Sequence, residues 1–169
     1  MRLSESIFAR KRMIGKSFIV LTFILTASGL YAQSFTDFSG VWVQDNAKSD
    51  DFYKEFNITC IITQTPQTIV FKTTFFEKSG TEITSREASF NLDGKEVSKE
   101  EEGGINKDVA TWSPDKKTLT TKSTRTVGAD VYGSTASYSL SDNGLVLTVK
   151  TSDINPGGLS VTQVFNKKQ

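Results

Sequence analysis

Apolar and polar residues alternate along most of this chain with a period of two. Ile69, Phe71, Thr73 and Phe75 fall on one face of an extended segment; Ile58, Cys60, Ile62 and Gln64 do so on another, and Leu145, Leu147 and Val149 on a third. That period belongs to β-strands, whose successive side chains point to opposite faces. No segment combines the length and the period of an amphipathic helix. The runs are short and separated by turn chemistry: Thr65-Pro66-Gln67, Lys78-Ser79-Gly80, Asp93-Gly94, Pro114-Asp115-Lys116, Asp142-Asn143-Gly144 and Asn155-Pro156-Gly157-Gly158. Strands bounded in this way at regular spacing indicate an all-β sandwich or barrel.

Nine strands are predicted, over residues 39–44, 57–64, 68–77, 81–92, 108–113, 117–127, 133–141, 145–151 and 159–166, with a tenth possible around Glu96. The Lys- and Glu-rich stretch up to Lys107 reads as a charged loop, with Lys99 to Glu102 as a solvated hairpin tip. Asp45 to Tyr53 reads as a polar connection with room for a short helical turn. Antiparallel strands with one apolar face must cover it, and closing the sheet covers that face and removes both edges. The expected fold is therefore an antiparallel up-and-down β-barrel of about 8–10 strands.

The first 32 residues do not fit this pattern. Arg2, Arg10, Lys11, Arg12 and Lys16 precede an apolar run beginning at Phe18, and smaller residues lead to Ala32. Basic, apolar and small-residue zones in that order describe a secretory signal peptide. The alternative is a membrane anchor, but Phe18 to Ala32 is 15 residues, short of the roughly 20 that span a bilayer. Cleavage is expected between Ala32 and Gln33, leaving a domain over 33–169 without a stable membrane anchor. No Cys lies near the cut to carry a lipid, and Cys60, the single cysteine, cannot form an intrachain disulfide. Export without disulfides suggests a bacterial periplasmic or extracellular protein.

Removing residues 1–32 leaves 15 basic and 18 acidic residues, a net charge of −3, which argues against nucleic acid as a partner. The chain has no histidine. Ser-His-Asp and Cys-His schemes are thereby excluded, and zinc has no imidazole ligand. Cys60, between Thr59 and Ile61, reads as a small buried hydrophobe. Asp50-Asp51 and Lys99-Glu100-Glu101-Glu102 lack the spaced oxygen ligands of a calcium loop. Glu82 and Glu87 lie on opposite sides of one strand and make no acid–base pair. No metal, cofactor or catalytic residue is expected.

Gly40-Val41-Trp42 resembles the opening motif of lipocalins and related calycins. Phe38-Ser39-Gly40-Val41-Trp42 with Asn46-Ala47-Lys48-Ser49, Leu92-Asp93-Gly94-Lys95-Glu96, Ala110-Thr111-Trp112, Leu140-Ser141-Asp142-Asn143-Gly144 and Val164-Phe165 are together similar to a group of small secreted bacterial lipocalin-like domains. The resemblance implies that Trp42 plugs the closed end of the barrel, and that a basic side chain near the last strand, Lys167 or Lys168, packs across it. It also implies a non-enzymatic protein that binds a small molecule. The chain departs from related barrels in two respects. Asp45 to Phe56 is too short for the helix pair of fatty-acid-binding barrels, and Trp42 with Trp112 are too few tryptophans for the biotin box of avidins.

The candidate ligand-binding residues are Phe71, Phe75, Arg86, Trp112 and Tyr138. Phe71 and Phe75 share the inner face of their strand. Arg86 shares a face with Thr84, Ala88 and Phe90; read as inward, it needs a carboxylate or an anionic ligand, whereas a one-residue slip turns it to solvent. Trp112 and Tyr138 are expected to face these three across the barrel. Such a lining suits a small, partly apolar ligand, such as an amphiphile with an anionic head. Two other readings remain open: a filled barrel that acts as a protein-interaction or structural module, and an enzyme using carboxylate, Tyr or Arg.

Overall fold

The computed structural model of the protein describes residues 34–169; the expected signal segment and its cut lie outside the described residues. Ten antiparallel strands follow one another: β1 (Gly40–Gln44), β2 (Asn57–Gln64), β3 (Thr68–Phe76), β4 (Glu82–Asn91), β5 (Val97–Glu101), β6 (Gly104–Trp112), β7 (Thr118–Val127), β8 (Asp130–Leu140), β9 (Val146–Asp153) and β10 (Ser160–Lys167). They form one up-and-down sheet in which β1 pairs with both β2 and β10. The ladder is continuous from β4 through β1 and β10 to β5. The all-β barrel architecture is as expected, except that the expected removal of both edges is incomplete, since β4 and β5 are not hydrogen-bonded to each other. The physical reason lies in their side chains. Arg86, Glu87, Lys99, Glu100 and Glu101 are exposed there, and Phe90 is the one buried residue of the two strands. Charged edges of this kind resist pairing.

The tenth strand is real. The segment read as a charged loop is instead a hairpin in which Val97 opposes Asp108 and Glu101 opposes Gly104. Charge obscured it, because neither face of β5 carries the apolar alternation of a half-buried strand. Gly103, at φ 77°, makes its tight turn.

The core occupies the end of the barrel that carries the start of β1, called here the base. Trp42, Ile62, Ile69, Leu119, Leu147 and Phe165 are buried there with Phe38. Trp42 is 0% exposed, and its indole Nε1 donates to the Phe38 carbonyl at 2.9 Å. The Lys167 ammonium lies 5.2 Å from the indole ring centre, which places the basic partner as the resemblance implied. Gly40 is needed for this approach. Its φ is +148°, and a Cβ there would stand 2.7 Å from the Lys167 Cε.

The segment before β1 closes the base. Thr36 N–H donates to the Lys116 carbonyl at 3.1 Å. The Gln64 carboxamide accepts from Phe38 N–H at 3.1 Å and donates to the Thr36 carbonyl at 3.0 Å. These bonds hold Phe38, also 0% exposed, beneath the strands.

Candidate functional site at the barrel mouth

The opposite end, the mouth, is shaped by the connection between β1 and β2. Asp45 N–H donates to the Val164 carbonyl at 2.7 Å and Asp50 N–H to the Thr162 carbonyl at 2.9 Å, so the connection runs along β10. Side chains reinforce it: the Ser49 hydroxyl accepts from Val164 N–H at 3.0 Å and the Asp50 carboxylate from Thr162 N–H at 2.6 Å. Gln44, buried under the connection, donates to the Tyr53 carbonyl at 3.1 Å and accepts from the Gln163 amide at 3.1 Å. A single 3-10 turn, Asp51–Tyr53, follows. This framework carries Phe52, Tyr53 and Phe56 to the mouth, toward Phe75 at the end of β3.

A hollow of about 320 Å³ is bounded there by Phe52, Tyr53, Phe56, Phe75, Ile83, Thr84 and Arg86. Phe56 and Phe75 meet edge to face, with ring centres 6.1 Å apart and planes at 84°. Phe52 and Tyr53 do the same at 4.9 Å and 89°. Phe52 and Ile83 are 59% and 49% exposed, so the hollow has accessible apolar walls. Solitary exposed hydrophobes need no explanation, but a concave group of them is a candidate binding surface.

Arg86 supplies the positive charge. It opposes Thr73 on β3 and therefore shares the inner face with Phe71 and Phe75. It is nevertheless exposed, because β4 borders both the open seam and the mouth. Its guanidinium carbon lies 6.0 Å from the Phe75 ring centre. The ion pairs among the described residues are Lys48–Asp45, Lys54–Asp51, Lys95–Asp93 and Lys107–Glu96, and Arg86 belongs to none. A second cation stands close by, with the Lys78 ammonium donating to the Phe56 carbonyl at 3.4 Å.

The five sequence-derived residues do not form one pocket. Phe75 and Arg86 meet at the mouth. Phe71 and Tyr138 stack on each other deeper in the barrel, ring centres 4.6 Å apart and planes at 23°. Trp112 ends β6 at the base, stacked at 5.9 Å on Phe38. The Trp112 expectation is thereby corrected. Facing strands were assigned from chain order, but the register puts Trp112 opposite Leu119 in the plugged half. Phe52, Tyr53, Phe56 and Ile83 were not foreseen. Three aromatic residues within Phe52 to Phe56, in a connection otherwise polar, were the available signal.

Below the mouth the barrel is nearly filled. A hollow there measures about 100 Å³ and is lined by Cys60, Phe71, Thr73, Tyr138 and Gln163 among others. Burial pushes the Tyr138 phenol up to about 12, with a hydrogen bond to Thr121 acting the other way. Burial likewise raises the Cys60 thiol, which accepts from the Thr73 hydroxyl at 3.5 Å. A thiol held protonated in this way is a packing residue, not a nucleophile. A larger hollow, about 520 Å³, lies between the β5–β6 and β7–β8 turns and is lined by Glu100, Glu101, Glu102 and Ile105 with several glycines and Thr126. It has no aromatic walls, and the cation beside it, Arg125, donates to the Glu102 carbonyl at 3.0 Å among three glutamates, so the mouth is the better-built site for an apolar anion. Among the described residues no group of three His, Cys, Asp or Glu side chains is placed to hold a metal ion.

No protein-family model matches the chain, and no curated protein matches it. Among solved structures it is similar to a "secretary abundant heat soluble (SAHS) protein" from Ramazzottius varieornatus. The TM-score is 0.52 and the sequence identity 11%, over 80% of this chain and 98% of that one. Likeness at this identity concerns the β-barrel fold.

Proposed function

We propose that the protein is an exported, non-enzymatic barrel that binds a small, partly apolar, anionic molecule at its mouth. One observation carries this reading: an arginine with no carboxylate partner among the described residues stands beside aromatic side chains in a 320 Å³ hollow. That volume lies in the range of about 300–1,000 Å³ usual for small-molecule sites. Guanidinium groups bind carboxylates and phosphates through paired, charge-assisted hydrogen bonds. The interaction-module reading draws on the filled interior, whose 100 Å³ is too little for such a ligand. The two readings separate on whether the mouth binds anything.

Arg86→Met keeps an unbranched apolar stem and removes the guanidinium and its charge. It should weaken an acidic naphthalene fluorophore such as 8-anilinonaphthalene-1-sulfonate about tenfold, the worth of roughly one charged hydrogen bond, and a neutral analogue less than about twofold. Fluorescence titration reads both. Equal weakening would show that Arg86 shapes the hollow without recognising charge, and absence of binding to the unaltered protein would favour the interaction module.

Export rests on the order of basic, apolar and small residues over 1–32. Intact-mass measurement of exported protein should place the new N-terminus at Gln33 or within a few residues of it. A product that retains Arg10 through Lys16 would overturn export by cleavage.

A further inference from the structure

Resting on the mouth as a binding site, the geometry points to a narrower ligand class: a compact, planar aromatic acid, in preference to an alkyl-chain acid or an organic cation. Three observations narrow the choice.

The first is depth. An acyl chain needs a channel that continues past the mouth. Here the stacked rings of Phe71 and Tyr138, 4.6 Å apart, stand beneath it, and the space beside them is about 100 Å³. The ligand must fit the 320 Å³ hollow itself, near the lower bound of about 300 Å³ for small-molecule pockets.

The second is the form of the walls. Phe56–Phe75 and Phe52–Tyr53 are both perpendicular pairs, at 84° and 89°, so the hollow is built from ring faces and ring edges together. A flat aromatic guest can stack on one ring and meet the edge of another. Each such contact adds roughly two- to tenfold in affinity beyond the area buried. An alkyl chain gains the area alone.

The third is charge. Aromatic walls without other features would also suit an organic cation. Arg86 excludes that guest, since its guanidinium already lies 6.0 Å from the Phe75 ring centre and repels a second positive charge. Lys78 beside Phe56 adds to the repulsion. The acidic residues of β4 do not share the inner face of Arg86: Glu87, next to it, opposes Lys72, which alternates to the outer face, and Glu82 opposes Phe76 and not the inner-facing Phe75. A planar guanidinium matches a planar carboxylate in shape. The carboxylate then sits on Arg86 while the ring lies against Phe75 and Phe56.

Calorimetric titration of the purified protein with 2-naphthoate, 2-naphthalenemethanol and decanoate tests this. Naphthoate should bind about tenfold more tightly than either of the others, because the alcohol lacks the charge and decanoate lacks the two ring contacts. Phe75→Leu, which keeps apolar bulk and removes the ring, should weaken naphthoate several-fold and leave decanoate within about twofold. Phe56→Leu serves as a second variant if Phe75→Leu does not fold. Decanoate binding as tightly as naphthoate, or equal losses for both ligands in the Leu variants, would overturn the aromatic preference and leave the anion site standing. Failure of all three to bind would overturn both.

Discussion

Trp42→Ala should destabilise the barrel by about 3–5 kcal/mol, the usual cost of emptying a large aromatic site in a core. Three features place it in that range. The side chain is fully buried, its Nε1–H has the Phe38 carbonyl as partner, and the Lys167 stem lies across its face. Alanine leaves a cavity beneath β1, β2 and β10, removes the donor from a buried carbonyl and strips Lys167 of its packing surface. Little around the site can collapse, because Trp42 is held between Cys60 and Lys167 in two ladders. Val43→Ala is the control. Val43 alternates to the outer face, is exposed, and should lose less than about 1 kcal/mol. Urea unfolding of both variants makes the comparison, and similar losses for the two would mean that the base is not plugged by Trp42.

Phe38→Ala should cost about as much, roughly 3–5 kcal/mol, even though Phe38 precedes the first strand. A side chain outside the sheet would ordinarily be expected to fray. Here the backbone around it is pinned through Gln64, Lys116 and Trp42, and its ring stacks on Trp112 and meets the edge of Tyr138 at 6.4 Å. A double-mutant cycle with Trp112→Ala should give a coupling of about 0.5–1.5 kcal/mol, the range for aromatic pairs. A loss below about 1 kcal/mol for Phe38→Ala would show that the segment before β1 peels away and that the base closes without it.

Period-two alternation made the barrel legible wherever one face is apolar. β2, β3 and β9 lie where Ile58 to Gln64, Ile69 to Phe75 and Leu147 to Val149 placed them, with Leu145 turned out to the surface before β9 begins. β5 carried no such alternation, since Lys99 and Glu101 share its inner face at an unpaired edge, and it emerges only from its pairing with β6. The inner position of Arg86 followed from the same alternation. Its exposure did not, because that depends on the seam between β4 and β5, which no local pattern encodes. The wall of the mouth formed by Phe75 was legible for the same reason as the strand that carries it. The other half of the site comes from a loop, where side-chain direction follows from hydrogen bonds such as Asp50 to Thr162, 112 residues apart. Trp112 shows the converse limit. Its strand was read correctly, but its height in the barrel depends on register across β6, β7 and β8.

The central claim is that the mouth, and not the filled interior or the base, holds the ligand. Backbone amide shifts of isotopically labelled protein, followed during titration with 2-naphthoate, test it most directly. The account requires saturable shifts at Phe52, Tyr53, Phe56, Phe75, Thr84 and Arg86, with the amides of Phe38, Trp42 and Trp112 unmoved. Shifts centred on Phe38, Trp42 and Trp112, or no saturable shift at the mouth, would contradict it.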